Sequence, residues 1–185
     1  MDRKIDSRFA EAQKSIVMDS SSSKAALRQS VWLLGQEMGK KVIEDYFLSK
    51  GTLQTPMNVQ VERIVPTVPL CAIVTTRDDF EFLGKGISSV LYNSIAGYMD
   101  FEGRRGLQAL NAQIQHVELP EPKGQHVHTL IVAKAILATG CTAIHLTRSA
   151  MSKYMPRQII ISSIFFSEHA VRNVSTTLRH QLWGV

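Results

Sequence analysis

Hydrophobic residues recur with a helical period early in the chain. Between Lys24 and Leu48, apolar side chains follow one another at spacings of three and four residues, which places them on one face of a helix. Ser22 or Ser23 can cap the start of this helix, and Gly51 follows its expected end. The stripe predicts core packing, and its members are Leu27, Val31, Leu34, Met38 and Val42.

The residues before this helix are polar and end in a run of four serines. Such a composition stays flexible or forms a short helix, here around Phe9 and Ile16. We therefore divide the chain into a polar N-terminal leader, residues 1–23, and one domain, residues 24–185.

Strand and helix patterns alternate through the rest of the chain. Val68–Thr75 is a nearly continuous apolar run, which is typical of a strand buried on both faces in a parallel sheet. Val127–Val132 and Gln158–Phe166 are further strands, each followed by a helical pattern, at Ala143–Tyr154 and from Glu168 to about residue 174. This order implies a βαβ crossover. The sequence thus predicts an α/β fold with a central, mainly parallel sheet flanked by helices.

Weaker patterns fill the intervals between these elements. They predict a short strand within Thr55–Val65, a polar loop at Asp78–Gly86, a helix at Ile87–Ile95, a strand at Gly97–Phe101 and an exposed turn at Glu102–Leu107.

Composition narrows the function classes. The chain has 185 residues, of which 44% are hydrophobic and 20% charged, so it can bury a core without disulfides or metal. Cys71 and Cys141 lie in apolar or small-residue runs and are expected to be buried free thiols. The formal charge of +5 suits phosphorylated ligands, but the basic residues are scattered, which does not favour specific nucleic-acid binding.

Neither a secretory signal nor a membrane anchor is recognisable at the N-terminus, and the most apolar stretch is too short to span a bilayer. We therefore expect a cytoplasmic protein without membrane contact.

A loop of small residues carries the candidate chemistry. It consists of Ala138, Thr139, Gly140, Cys141 and Thr142, between a strand and a helix. Ligands of open α/β sheets bind outside the carboxyl ends of the strands, and a helix N-terminus there offers unpaired N–H groups and a positive dipole end. Gly140 lets the backbone approach an anion, and the threonines add hydroxyl donors. A phosphate monoester fits these groups; a plain strand–turn–helix with capping threonines is the alternative.

The same loop resembles a known family. The run Ile136–Ala143 (Ile-Leu-Ala-Thr-Gly-Cys-Thr-Ala) is similar to the phosphoribosyl-pyrophosphate loop of uracil phosphoribosyltransferases, which reads Asp-Pro-Met-Leu-Ala-Thr-Gly-Gly-Thr/Ser. Ile159–Val171 resembles the next strand and turn of that family. Weaker similarities follow in the family's order, and the resemblance covers about Lys24 to Val174. The weaker segments are Leu34-Gly35 with Met38, Cys71–Arg77, Gly97–Phe101 and His116–Pro120.

The resemblance identifies the chain as a divergent member of this family, with the type I phosphoribosyltransferase fold. It implies transfer of ribose 5-phosphate from phosphoribosyl pyrophosphate to uracil, with Mg²⁺, in pyrimidine salvage. The loop Ala138–Thr142 would then grip the 5-phosphate and Arg77 would contact the pyrophosphate. The resemblance also implies a homodimer, with the segment around Arg104-Arg105 in the position of a dimer arm.

Lys134 departs from the family pattern most sharply. It stands where the family has an acidic residue at the head of the loop, whose carboxylate accepts hydrogen bonds from the ribose hydroxyls. An ammonium group cannot accept them, and it repels a metal ion. Lys134 can instead pair with a phosphate.

Other departures concern the two flanks of the loop. Asp78–Glu81 follows Arg77 where the family has alanine and glycine, which adds carboxylates beside a polyanion site. Nothing after Ser167 resembles the family's uracil-recognition segment. Cys141 replaces a glycine, and its Cβ is expected to narrow the approach to the anion.

Two hypotheses follow. In the first, the protein is a divergent relative that binds a phosphorylated ribose ligand, either phosphoribosyl pyrophosphate or a nucleotide, and has lost catalysis. In the second, it is an active phosphoribosyltransferase that converts a pyrimidine base such as uracil to the nucleoside monophosphate. We assign no catalytic residue and no metal ligand. His126 and His128 are interpreted as strand histidines rather than a metal site, and Ser167 as a helix N-cap.

Overall fold

A computed structural model describes residues 5–101 and 113–182 of the chain, with side chains to residue 178. Its elements are α1 (Arg8–Met18), α2 (Lys24–Val42), a π-helical turn (Ile43–Phe47), β1 (Leu48–Gln54), β2 (Gln60–Pro66), β3 (Cys71–Thr76), α3 (Arg77–Asp79), a second π-helical turn (Phe80–Gly84), α4 (Lys85–Val90), β4 (Ser94–Phe101), β5 (Ile114–Glu118), β6 (Thr129–Leu137), α5 (Cys141–Tyr154), β7 (Gln158–Phe166) and α6 (Glu168–Leu182).

Five strands form the central sheet, in the order β5-β4-β3-β6-β7. The last four in this order are mutually parallel, and β5 joins the edge in the antiparallel direction. β1 and β2 form a separate antiparallel ribbon. The predicted α/β fold with a mainly parallel sheet is therefore confirmed.

Two apolar clusters cover the two faces of the sheet. Because successive side chains of a strand point to opposite faces, β3 and β6 contribute to both clusters in alternation. The residues on the α5 and α6 face are Ala72, Val74, Leu130 and Val132, and those on the α2 and α4 face are Cys71, Ile73, Ile131 and Ala133. Cys71 and Cys141 are buried free thiols as expected, and burial raises the pKa of the Cys71 thiol to about 12.

The helix predicted from Lys24 begins as expected. The Ser23 hydroxyl caps α2 by accepting a hydrogen bond from the Ala26 amide. The regular helix ends at Val42 and continues only as a π-helical turn, so that β1 occupies the residues from Leu48 onward. The short helix expected in the leader is α1, which packs on α2. The Ser30 hydroxyl of α2 donates a hydrogen bond of 2.9 Å to the Gln13 side-chain oxygen of α1.

The polar loop predicted at Asp78–Gly86 is wrong, because this segment is helical. Its Gly86 serves close packing against α2 rather than a turn. A Cβ atom on Gly86 would lie 2.5 Å from the Trp32 carbonyl oxygen, and one on Gly35 would lie 2.7 Å from the Leu83 carbonyl oxygen. Two glycines facing each other let the helical backbones touch, and tertiary packing overrides the local turn signal.

Other boundaries shift by several residues. The helix expected at Ile87–Ile95 ends at Val90, and β4 begins at Ser94. β6 runs on to Leu137, so that Lys134 lies inside a strand rather than in the loop. β1 and β5 have no counterpart among the predicted elements. The turn expected at Glu102–Leu107 lies outside the described residues. Among the helices that the structure describes, none is long and apolar enough to cross a membrane.

The glycine contact between α2 and α4 gives a stability test. We expect Gly86→Ala to lower the free energy of unfolding by about 2 kcal/mol, because the new methyl group meets backbone atoms that cannot move aside. Urea unfolding measures the change. Gly51→Ala is the control, since its Cβ would meet only the Val65 side chain at 3.4 Å and should cost less than about 0.5 kcal/mol. Equal stability of both variants would contradict this packing.

Candidate functional site

The topology creates a crevice at the carboxyl edge of the sheet. After β3 the chain crosses to β4 on one side, and after β6 it crosses to β7 on the other, so β3 and β6 flank the point where the strand order reverses. The two strands pair only as far as Val74 and Val132, whereas β6 continues beside β7 to Leu137. Beyond their last pair, the strands leave a gap between Thr76 and Lys134.

Lys134 fills this gap with an ion pair. Its ammonium group donates to the Asp79 carboxylate at 2.5 Å and to the Thr76 hydroxyl at 2.8 Å, and that hydroxyl donates in turn to Asp79 at 3.0 Å. The side chains of Lys134 and Asp79 are only 18% and 11% exposed. Lys134 thus compensates one of the carboxylates that follow Arg77, and the pair closes the floor of the crevice.

Asp79 is a site residue that the sequence argument counted only as an added charge. The signal was nevertheless present: lysine stands at a position where the resembled family has an acid, and an acid stands at another position where that family has none. Because the two positions are 55 residues apart, only the sheet topology shows that they meet.

Arg77, the predicted pyrophosphate contact, lies on the outer side of the same edge. Its guanidinium group is 3.4 Å from the Asp100 carboxylate and 5.9 Å from the centre of the Tyr98 ring, and its side chain is 62% exposed. A hydrogen bond to Glu118 raises the pKa of the Tyr98 phenol. Asp100 is thus the charged partner of this exposed guanidinium group, on which a pyrophosphate would depend.

The loop Ala138–Thr142 joins β6 to α5 at the head of the crevice. Gly140 caps α5 with φ of +80°, a conformation that favours glycine. A Cβ atom at Gly140 would also lie 2.7 Å from Val174 Cγ2 and 3.1 Å from the Ala170 carbonyl oxygen. Gly140 is therefore required for the close contact of the loop with α6, and not for the approach of a ligand.

The prediction that the Cβ atom of Cys141 narrows the approach to an anion is wrong. The Cys141 side chain is completely buried, with the Asn173 amide nitrogen 3.9 Å from the sulfur. Since the side chain faces the interior, the Cβ atom of Cys141 does not narrow the approach from solvent.

Neutral side chains from the α6 end of the sheet hold the loop in shape. The Ser167 hydroxyl donates to the Ala138 carbonyl at 2.6 Å and accepts from the Ala170 amide at 3.0 Å, so Ser167 is the predicted N-cap of α6. The Asn173 amide donates to the Thr139 carbonyl at 2.8 Å. Sequence reasoning missed Asn173, because its role depends on how α6 docks against the loop.

The first turn of α5 offers amide groups to an anion. Within the helix, the first amide with a backbone acceptor four residues earlier is that of Ile144, which bonds the Gly140 carbonyl. The amides of Thr142 and Ala143 precede it and have no such acceptor, whereas the Cys141 amide donates to the Thr139 hydroxyl at 3.5 Å. This turn contains no acidic residue. Together with the helix dipole, the arrangement suits the charge of a phosphate monoester.

A magnesium site held by protein ligands does not fit these residues. Asp79 is the carboxylate that faces the crevice, and it is bound to an ammonium group that a metal ion would have to displace. Across residues 5–101 and 113–182, no three His, Cys, Asp or Glu side chains are grouped so that they could hold a metal ion. His126 and His128 precede β6, which begins at Thr129, so neither is a strand residue as predicted. The His128 ring contacts the Thr129 hydroxyl at 2.9 Å.

A larger groove lies along the free edge of β7, between α1 and α2 on one side and α6 on the other. Its walls are mainly apolar, with Ile159, Ile161 and Phe165 among the strand residues. The charged and polar groups of the crevice are not part of it, so the larger cavity is not the chemical site.

Comparisons with known proteins bear on the fold. No family model matches the chain, and no curated protein matches it. The AQ2163 protein from Aquifex aeolicus has a similar structure, with a TM-score of 0.74 and 18% identity over 97% of this chain and 83% of that one.

Hypoxanthine phosphoribosyltransferases are also among the matched structures. One from Staphylococcus aureus has a TM-score of 0.44 and 16% identity, over 77% of this chain and 66% of that one. The hypoxanthine-guanine enzyme of L. donovani has a TM-score of 0.45 and 14% identity, over 74% and 67%. The structural neighbours thus include type I phosphoribosyltransferases, whereas membership of the uracil phosphoribosyltransferase family stays a prediction.

The ion pair in the crevice can be tested by a double-mutant cycle. We expect Lys134→Met to lower the free energy of unfolding by about 2 kcal/mol, because it leaves the Asp79 carboxylate half-desolvated without a counter-charge. Adding Asp79→Asn should restore much of that loss in urea unfolding. Lys85→Met, which breaks the exposed pair with Glu81, is the control and should cost less than about 0.5 kcal/mol. Additive effects of the two crevice substitutions would rule out the coupling.

Proposed function

We propose that the protein binds a phosphorylated ribose ligand, either phosphoribosyl pyrophosphate or a nucleotide, at the carboxyl edge of its sheet. The loop Ala138–Thr142 holds the phosphate through backbone amides and the hydroxyls of Thr139 and Thr142. The observation that carries the proposal is the first turn of α5, where the amides of Thr142 and Ala143 have no helical acceptor and adjoin a loop fixed by Ser167 and Asn173. This turn lies beside the switch point of the sheet. A preformed anion site of this kind does not have to be ordered when the ligand arrives.

We further propose that phosphoribosyl transfer has been lost. Lys134 occupies the position where the resembled family has its acid, and its ammonium group cannot accept hydrogen bonds from ribose hydroxyls. The ammonium group of Lys134 is instead bound to the Asp79 carboxylate, and the two charges neutralise each other. The Asp100 carboxylate beside Arg77 offsets part of the positive charge that would stabilise a departing pyrophosphate.

Several finer features stay predictions from the resemblance. They are the preference for uracil, the participation of Mg²⁺ brought by phosphoribosyl pyrophosphate, the homodimer and the cytoplasmic location. The segment around Arg104-Arg105, expected to form the dimer arm, lies outside the described residues.

The phosphate site is tested with a charge placed at the helix start. We expect Thr142→Glu to weaken binding of ribose 5-phosphate and uridine monophosphate at least about tenfold, because a carboxylate then competes for the amides of α5. The same carboxylate favours the helix dipole, so thermal unfolding should show no loss of stability. Isothermal titration calorimetry measures the binding.

Gln115→Glu is the matched control, since it adds the same charge on the exposed strand β5 at the opposite edge of the sheet. It should leave binding unchanged. If neither ligand binds the unaltered protein, the phosphate site is refuted. Release of pyrophosphate from phosphoribosyl pyrophosphate, Mg²⁺ and a panel of nucleobases would instead establish the alternative, an active phosphoribosyltransferase.

A further inference from the structure

The two halves of the candidate site differ in charge. On the loop side, the side chains that hydrogen-bond the backbone are neutral, those of Ser167 and Asn173. On the β3 side, where a pyrophosphate would lie, the positive groups already have carboxylate partners: Lys134 with Asp79 and Arg77 with Asp100.

From this asymmetry, and resting on the function proposed above, we propose that the ligand carries a single phosphate. The site takes a ribose 5-phosphate monoester, free or as part of a nucleoside monophosphate, rather than phosphoribosyl pyrophosphate, and it binds this ligand without a divalent cation.

Charge balance on the β3 side opposes the pyrophosphate group. Two ion pairs neutralise Asp79 and Asp100, and in the part of the chain that the structure describes Asp78 has no counter-charge. A pyrophosphate would therefore meet an edge with a surplus of negative charge. To reach the Lys134 ammonium group, it would have to displace the Asp79 carboxylate from a pair that is largely shielded from water.

The ion pair of Lys134 also leaves no carboxylate ligand for a metal at this place. The ammonium group lies at the junction of β6 and the crevice, where it is bound to Asp79 and Thr76. A magnesium ion there would have to displace the ammonium group from the Asp79 carboxylate.

Two ligands that differ only at the sugar C1 atom separate these alternatives. Ribose 5-phosphate has a hydroxyl group there, and phosphoribosyl pyrophosphate has the pyrophosphate. We expect calorimetry to give ribose 5-phosphate the same dissociation constant in Mg²⁺ and in EDTA. The second ligand should bind no more tightly than the first under either condition, and inorganic pyrophosphate should not compete.

Variants of the acidic residues supply the complementary test. Asp79→Asn keeps an oxygen acceptor for Lys134 and Thr76 but frees the ammonium charge, so binding of phosphoribosyl pyrophosphate should improve at least about tenfold relative to ribose 5-phosphate. Asp78→Asn, at an exposed position of α3, should act in the same direction. Because Asp78 is exposed, this variant tests the charge effect even if Asp79→Asn fails to fold. Thermal unfolding checks both.

The possible failures are distinct. If phosphoribosyl pyrophosphate with Mg²⁺ binds the unaltered protein about tenfold more tightly than ribose 5-phosphate does, the single-phosphate inference is overturned while the proposed phosphate site stands. If no ligand binds under any condition, the proposed function fails and the inference fails with it.

Discussion

The candidate site depends on the point at which β3 and β6 stop pairing. Both strands are buried on two faces and pair only over Cys71–Val74 and Thr129–Val132. Each then turns toward a different neighbour, because the crossover helices α4 and α5 leave in opposite directions along the sheet. Backbone groups and side chains at the strand ends are thereby brought into one crevice, and whatever occupies the floor of that crevice decides which ligand can enter.

Close backbone contacts fix the walls of the crevice. Gly35 and Gly86 let the helical segment after β3 lie directly on α2, which positions Asp79 at the strand end. Gly140 lets the loop after β6 lie directly on α6, which brings Ser167 and Asn173 to the loop carbonyls. The two walls depend on glycines for the same physical reason: a methyl group at any of these positions would overlap atoms that belong to a neighbouring element.

The sequence predicts the strands and helices with strong periodicity well, and β7 has the expected bounds. It fails where long-range contacts decide the local structure. The segment after Arg77 has the composition of a loop, yet packing on α2 makes it helical. The phosphate loop was recognisable from its small residues, whereas the roles of Asp79 and Asn173 were not, since their partners are 55 and 34 residues away along the chain. β5 is short and pairs at an edge, and so lacks an alternating pattern strong enough to detect.

The bond between Lys134 and Asp79 has a consequence for which substitutions the crevice tolerates. A substitution of Lys134 by aspartate alone would place two carboxylates where one ion pair now lies, in a crevice that is largely shielded from water. A substitution of Asp79 alone would leave a half-buried ammonium group. The two residues are therefore mutually dependent, and an acidic side chain at position 134 is compatible with this crevice only when position 79 changes as well. The ion pair thus couples two positions that lie 55 residues apart along the chain, so that neither tolerates variation alone.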